Sequence, residues 1–258
     1  MRNLIGNKAL LALMLGHFTN DLFGGVLVML YPVMKLKFGL TYAEIGLVTL
    51  AYSSMSSLTQ PFFGHISDRH FRRWYASLVI LWGSVFVSLY GFAPTFAAFI
   101  ACAALAGGAS GAYHPLGAMN AAAIIDHGSR NRALSLYTVA GTCGYAIGPL
   151  AATALLIVFG PRGTAALIVP GVIVAAWLAR QMRLVERVRA ARAAMTADAA
   201  RVRPAWGPLA RVIGVTMLRS WVALAVLQFI PLWYADQGYG RTFYGPLTTA
   251  MILAGAVG

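Results

Sequence analysis

The chain has 258 residues, of which 59% are hydrophobic and 10% are charged, with a mean hydropathy of +0.71. Soluble domains carry about 25% charged residues, so this composition excludes an ordinary soluble domain and indicates a membrane protein. The formal net charge of +13 leaves nucleic-acid binding open until the positions of the charges are considered.

Seven apolar segments are long enough for a helix to cross a hydrocarbon core, which takes about 17–25 residues. An eighth begins near Phe243 and is too short to cross before residue 258, so the chain looks C-terminally incomplete, and we expect it to hold part of that span. The first segment is too long for a cleaved signal peptide and lacks a small-residue cleavage site. The seven spans cover 9–34, 44–66, 74–93, 95–124, 133–159, 163–180 and 209–234.

Most of the positive charge falls in alternate gaps between the spans. Lys and Arg residues lie before span one, between spans two and three, between four and five and, most densely, between six and seven. Such an excess marks the cytoplasmic side of a multi-pass protein. We therefore predict a bacterial-type inner (plasma) membrane protein with a cytoplasmic N-terminus, and we attribute the net charge to topology rather than to nucleic-acid binding.

Span one contains the sequence GHFTNDLFGG, which places Asp21 near the centre of the apolar run. The other acidic residues fall in loops or at span ends, and a charge at the centre of a bilayer costs roughly 2.5–3.5 kcal/mol on insertion scales. Because removal from water penalises a charged carboxylate, we predict that Asp21 can bind and release a proton near neutral pH. His17 lies one helical turn earlier on the same face and is predicted to adjust the proton affinity of Asp21. Asn20 lies beside them and is assigned to the wall of a substrate cavity. The alternative is a structural hydrogen bond from Asp21 to another helix.

Span two is rich in hydroxyl groups between Tyr52 and Gln60, and we assign these two residues to the wall of a substrate cavity. Alternatively, the hydroxyls bond to carbonyls of their own helix. The next loop reads GHISDRHFRRW and brings a carboxylate and several cations to the ends of two helices. It is predicted to latch onto another part of the protein in one conformation, although a positive-inside loop with one ion pair would look the same. The predicted gating loop comprises Gly64, Asp68, Arg69, Arg72 and Arg73.

Span four contains GAYHPLG, in which His114 is predicted to exchange protons with Asp21 and Tyr113 to face the substrate cavity. The alternative for His114 is a packing role. Span five contains GTCGYAIGPLAA, whose small residues permit close helix contact and whose proline bends the helix. The predicted packing residues of span five are Gly141, Gly144, Gly148 and Pro149.

The basic, alanine-rich segment 181–207 is predicted to be a cytoplasmic linker, partly helical, that either lies on anionic lipid or is a solvated tether. It separates an N-terminal six-helix half, 1–180, from the start of a C-terminal half, 208–258. Span seven holds Arg219 and Trp221, which we assign to the substrate cavity. Arg219 could pair with Asp21, bind an anionic substrate or extend to the cytoplasmic interface.

Motifs for enzymatic or cofactor chemistry are missing from the sequence. Cys102 and Cys143 lack metal-binding spacing and are predicted to pack inside spans. No Walker loop, dinucleotide glycine motif, zinc-protease motif or serine elbow occurs. We therefore expect no enzymatic activity, no cofactor and no metal.

The loop GHISDRHFRRW resembles the Gly-x-x-x-Asp-Arg-x-Gly-Arg-Arg signature of the major facilitator superfamily, with Phe71 replacing the second glycine. The stretches HFTNDL, QPFFGHISD, GGASGAYHP, VAGTCGYAIGPLAA and LRSW resemble its fosmidomycin-resistance-type, drug/proton antiporter-like branch, over nearly the whole chain. Leu116 stands where that branch often has an acid, and span four lacks the arginine motif common in drug/proton antiporters. The resemblance implies an all-α membrane protein of two six-helix halves with substrate between them. This chain would hold the first half, span seven and part of span eight.

These observations together predict a proton-coupled secondary active transporter that works by alternating access and exports a small organic molecule or drug. Proton-linked uptake of a carboxylate or sugar is the alternative within transport, and a non-transporting membrane sensor is the alternative outside it. The expected partners are a small-molecule substrate, protons and the lipid bilayer, without nucleic acid, in a protein that is a monomer when complete.

Overall fold

A computed structural model of the chain describes residues 6–69, 72–125, 127–195 and 206–257. Within these residues the protein consists of eight α-helices joined by turns and short 3-10 segments, and none of these residues lies in a strand. The helices are α1 (Lys8–Phe38), α2 (Tyr42–Arg69), α3 (Tyr75–Ser88), α4 (Phe96–Ala123), α5 (Arg130–Phe159), α6 (Ile168–Met195), α7 (Trp206–Asp236) and α8 (Arg241–Val257).

The ends of the first helix follow from local side-chain chemistry. Asn7 begins α1, because its Oδ1 accepts hydrogen bonds from the backbone N–H groups of Ala9 and Leu10, both at 3.1 Å. Gly39 ends the helix in the left-handed region at φ 65°, where a side chain would be strained. The chain can therefore turn directly into α2, which begins at Tyr42.

Helix α1 is the central element of the bundle. It packs most extensively against α5 and also contacts α4, α6 and α7, while α2 packs against α4 and α8 packs against α5. Its buried apolar residues belong to two separate hydrophobic clusters, one around Ala9–Leu13 and the other around Phe23–Met34. The polar residues His17, Asn20 and Asp21 lie in the interval between these clusters.

Six of the described helical segments are long and apolar enough to cross a membrane, and they correspond to predicted spans one, three, four, five, six and seven. The predicted second span is a helix of 28 residues, about 42 Å long, but it does not reach the same apolar composition. The reason is the polar stretch between Tyr52 and Gln60, which lowers its mean hydropathy. Its position and length were therefore predicted correctly from the sequence, whereas its composition is more polar than that of the other spans.

Helices α7 and α8 contact the first six helices mainly at the end of the bundle where α1 finishes, here called the Lys35 end. Lys35 Nζ donates to both carboxylate oxygens of Asp236, at 2.7 and 2.6 Å, and the Tyr42 hydroxyl donates to Asp236 Oδ2 at 2.7 Å. On α8, Arg241 donates to the carbonyl of Leu156 at 3.1 Å. Residues 206–220 of α7 are by contrast exposed nearly throughout. On α8, Thr249 donates to the carbonyl of Ala146 at 2.6 Å, so contact between the two parts extends from the Lys35 end to the middle of the bundle.

Helix α6 continues from the predicted sixth span into the basic segment and ends at Met195. Arg189 in this extension donates to Asn120 Oδ1 at 3.2 Å and to the carbonyl of Ser67 at 3.1 Å. Part of the predicted linker is therefore helical and contacts the ends of α2 and α4. Residues 196–205 of the predicted linker lie outside the described residues.

Candidate functional site

The site is centred on the carboxylate of Asp21. His17 precedes it by one turn of α1, and His17 Nε2 lies 3.2 Å from Asp21 Oδ2. Asn20 donates from Nδ2 to Asp21 Oδ1 at 2.9 Å and to Ser110 Oγ of α4 at 3.3 Å. Each carboxylate oxygen therefore has a polar partner, as a carboxylate inside an apolar bundle requires.

Helix α4 brings a second imidazole to the same carboxylate. His114 Nδ1 lies 3.2 Å from His17 Nε2, and His114 Nε2 lies 3.8 Å from Asp21 Oδ1. The side chain of His17 is 8% exposed, that of Asp21 is 18% exposed and that of His114 is 33% exposed. The cluster thus runs from a buried imidazole to one that is open to solvent.

Helix α5 fixes the orientation of His17. The Nδ1 atom of His17 lies 2.8 Å from the carbonyl oxygen of Tyr137, and the two rings stack with centroids 4.1 Å apart. A carbonyl oxygen can only accept, so His17 Nδ1 carries a hydrogen, and in the neutral ring Nε2 has only its lone pair. The contact between Nε2 and Asp21 Oδ2 is therefore a hydrogen bond only when Nε2 or the carboxyl group holds a further proton. Tyr137 was not among the predicted site residues, and the missed signal is its spacing of four from Gly141 and eight from Tyr145 on one face of α5.

The close approach of α5 to this cluster depends on Gly141. A Cβ atom at position 141 would lie 2.6 Å from both Asp21 Oδ2 and His17 Nε2, closer than real contacts of that kind. Further along the same interface, Gly148 of α5 lies against the backbone of Gly25 in α1. Two of the predicted packing glycines are thus located where α5 meets the polar segment and the second half of α1.

A cavity of about 320 Å³ opens beside the cluster. Its wall includes Asp21 and His114 together with hydroxyl groups from three helices, which makes it polar on one side. None of the described lining residues is Lys or Arg. The full lining is Asp21, Gly24, Leu27, Tyr52, Ser53, Ser56, Ser57, Ser110, His114, Tyr145 and Gln228.

The residues assigned to the cavity from the sequence lie in several places. Tyr52 lines it, and Asn20 is buried beside it. Tyr113 is fully buried and its hydroxyl donates to the carbonyl of Leu13 at 2.9 Å. Gln60 and Arg219 are exposed and do not line this cavity, so their assignment stays a prediction. The side chain of Trp221 is not among those described.

Ser110, Tyr145 and Gln228 line the cavity without having been assigned to it. Gln228 comes from α7, so the cavity lies between the first six helices and the seventh. The position of Gln228 in the cavity wall depends on how α7 packs against α1, and a single sequence does not determine that packing.

The predicted gating loop lies at the end of the bundle opposite Lys35. Gly64 is half-buried, Arg69 and Arg72 are exposed, and the guanidinium of Arg73 lies 4.4 Å from the centre of the Trp74 ring. The side chain of Asp68 falls outside what the structure describes. The latch function of this loop stays a prediction.

Comparison with known proteins identifies a family. Residues 13–258 match the family described as Major Facilitator Superfamily. Over 154 residues the chain is 30% identical to "Fosmidomycin resistance protein" of Escherichia coli (strain K12). This aligned region covers 60% of this chain and 38% of that protein. Over 127 residues it is 30% identical to "Probable 4-methylmuconolactone transporter" of Cupriavidus pinatubonensis. This aligned region covers 49% of this chain and 30% of that protein.

Two solved structures have the same fold. One is a bacterial homologue of the human lysosomal transporter Spinster, in an inward-facing and unoccupied conformation, with a TM-score of 0.61 at 21% identity over 67% of this chain and 42% of that one. The other is an auto-inhibited POT family peptide transporter, with a TM-score of 0.53 at 13% identity over 96% of this chain and 51% of that one. The chain thus aligns with about half, or less, of the length of these relatives.

Proposed function

The chain belongs to the major facilitator superfamily, and on that premise we propose that it is a proton-coupled secondary active transporter that exports a small organic molecule by alternating access. The family consists of transporters rather than enzymes, and the resemblance to the fosmidomycin-resistance-type branch predicted from the motifs is confirmed. The chain is accordingly a multi-pass membrane protein of a transport family. Proton coupling, direction and substrate are proposed below.

The observation that carries the proposal is the cluster of Asp21, His17 and His114 at the wall of a cavity that several hydroxyl groups also line. A carboxylate and two imidazoles within hydrogen-bonding reach can hold one proton in more than one position. Because Asp21 and His114 line the cavity, a proton can reach them from water when that cavity is open. An ionisable residue inside a membrane-spanning helix is a functional candidate by default.

The ionisable groups around Asp21 come from four helices. They are His17 of α1, Tyr52 of α2, Tyr113 and His114 of α4, and Tyr137 and Tyr145 of α5. Of these, the two histidines are the groups that change charge most readily near neutral pH. The coupling proton is therefore shared among Asp21, His17 and His114.

The asymmetry of α7 supports alternating access. At the Lys35 end, Asp236 of α7 is held by Lys35 and Tyr42, whereas residues 206–220 of α7 make few contacts with the first six helices. A rocking motion that opens one end and closes the other needs such separable contacts. Protonation at Asp21, next to the cavity between these parts, would bias the equilibrium between the two states.

The names of two relatives bear on direction. The Escherichia coli relative is named for resistance to fosmidomycin, which favours export of a drug-like molecule. The Cupriavidus relative is named for transport of 4-methylmuconolactone, which favours the second candidate, proton-linked uptake of a metabolite. Export is preferred here because the motifs of spans one, two, four and five resemble the drug/proton antiporter-like branch.

The test uses purified protein in proteoliposomes with an imposed pH gradient and the two named compounds, fosmidomycin and 4-methylmuconolactone, as probes. Export by antiport predicts that a probe moves against the direction of proton flow, and that a trapped pH indicator reports counter-movement of protons. Movement in the direction of the proton would instead support uptake. Equal probe movement with and without the gradient would contradict proton coupling, and absence of any flux would favour a sensor.

A further inference from the structure

Three side chains of the central cluster are of the types that bind transition-metal ions. The ligand atoms of His17, Asp21 and His114 all lie within 4.8 Å of one another. We propose that these three residues form a binding site for a single divalent transition-metal ion of the Zn²⁺ type, entered from the cavity. The sequence gave no indication of this site, and we expected no metal, because His114 is 97 positions away from His17 in the chain.

The distances suit a tetrahedral ion. Zinc binds imidazole nitrogen and carboxylate oxygen at about 2.0–2.2 Å, so neighbouring ligand atoms around a tetrahedral zinc lie about 3.4 Å apart. His17 Nε2 lies 3.2 Å from Asp21 Oδ2 and 3.2 Å from His114 Nδ1. Two of the three ligand pairs are therefore already near the tetrahedral spacing, and the third pair lies within 4.8 Å and closes by side-chain rotation when the ion binds.

The hydrogen-bond partners of the cluster prepare its ligand atoms. His17 Nδ1 bonds to the carbonyl of Tyr137, which leaves the Nε2 lone pair for a metal, and histidines that bind metals characteristically donate their other N–H to such a group. Asn20 holds Asp21 Oδ1 and leaves Oδ2 on the side of His17. Glycine at position 141 lets α5 pack directly beside Asp21 Oδ2 and His17 Nε2.

The cavity provides access and the remaining coordination position. Asp21 and His114 line it, so water can complete a site that has three protein ligands, as in open zinc centres. Two imidazoles and one carboxylate favour Zn²⁺, Ni²⁺ or Cu²⁺ over Mg²⁺, which prefers oxygen ligands. No Lys or Arg occurs among the described lining residues, so no fixed cation opposes entry.

The experiment measures binding on the whole 258-residue chain, purified without a histidine tag, stripped of metal and held in detergent micelles. It is titrated with ZnCl₂ and, separately, with MgCl₂ by isothermal titration calorimetry. We expect one Zn²⁺ per chain and no Mg²⁺ binding. We expect His17→Ala, His114→Ala and Asp21→Asn each to weaken Zn²⁺ binding by about tenfold or more, since even outer-shell partners contribute roughly 10–100-fold.

Two control variants remove other metal-binding groups. His65 is exposed on α2, and His65→Ala should leave Zn²⁺ binding unchanged, as should the double variant Cys102→Ser/Cys143→Ser. Thermal unfolding with and without Zn²⁺ is measured on every variant, and His114→Gln serves if His114→Ala does not fold. Absence of Zn²⁺ binding in the wild type, unchanged binding in the His17 and His114 variants, or loss in the controls would overturn the proposal.

This inference shares residues with the proposed coupling site but does not depend on proton coupling, because zinc binding is measured on protein that is not transporting. Zinc binding without gradient-driven transport would contradict the proposed function alone. Gradient-driven transport without zinc binding would contradict this inference alone.

Discussion

Asp21 is held by groups from its own helix and from α4, and each of its oxygens has a named partner. The proximity of His17 could be predicted from a spacing of four residues on a helix, and His114 was predicted as a partner because an imidazole in span four can exchange protons with Asp21. Tyr137 and Gly141 could not be assigned to the cluster in the same way. Which residues of α5 meet α1 depends on the register of two helices, and a single sequence does not determine that register.

Replacing Gly141 by alanine tests how closely α5 must approach the cluster. The added Cβ would lie 2.6 Å from Asp21 Oδ2 and from His17 Nε2, and overpacking of this kind costs about 1–3 kcal/mol. We expect Gly141→Ala to lower the free energy of unfolding in detergent by that amount. The matched variant Gly214→Ala, on α7 where nothing lies within 4 Å of the new Cβ, should lose no stability, because alanine favours a helix over glycine. Equal free energies of unfolding for the two variants would show that α5 can move away from α1 without loss of stability.

At the scale of elements, helix positions followed from the apolar runs, but their interactions did not. Helix α2 has the predicted place and length, yet its serines face a cavity whose existence depends on α4, α5 and α7. Helix α6 extends beyond its apolar run because alanine and arginine are strong helix formers. The ion pair between Lys35 and Asp236 joins residues 201 positions apart, so only the folded chain reveals it.

Loss of this ion pair should loosen the Lys35 end. The two side chains are 23% and 35% exposed, so solvent screening limits the contribution of the pair to at most about 1 kcal/mol. That corresponds to a roughly fivefold shift in population. We expect Asp236→Asn to raise the labelling rate of a cysteine at position 228, in a background without Cys102 and Cys143, by up to about fivefold.

The control for this measurement is Glu44→Gln, which removes an acid at the start of α2 whose hydrogen-bond partner among the described residues is Thr41. It should leave the labelling rate of the cysteine at position 228 unchanged. A rate that does not differ between Asp236→Asn and Glu44→Gln would mean that the ion pair does not hold this end closed.

At the scale of the whole molecule, composition and span lengths predicted an all-α membrane bundle, and the fold confirms it. Sidedness rests on the positive-inside rule alone, and we expect the N-terminus in the cytoplasm. The exposed residues Pro94, between α3 and α4, and Gly128, between α4 and α5, lie on opposite sides of the membrane under this prediction. Cysteine at position 94 should react with an impermeant maleimide in intact cells, whereas cysteine at position 128 should react only after permeabilisation. The reverse pattern would invert the topology.

The central claim is that Asp21 carries the coupling proton, and the variant Asp21→Asn tests it most directly. Asparagine has nearly the same shape and can still bond to its neighbours, so the variant should insert and fold. In proteoliposomes with an imposed pH gradient, we expect its transport of whichever named compound the wild type carries to fall to the rate of empty liposomes. Glu44→Gln, an acid-to-amide change outside the cavity, should keep the wild-type rate. Gradient-driven transport by Asp21→Asn at the wild-type rate would contradict the account.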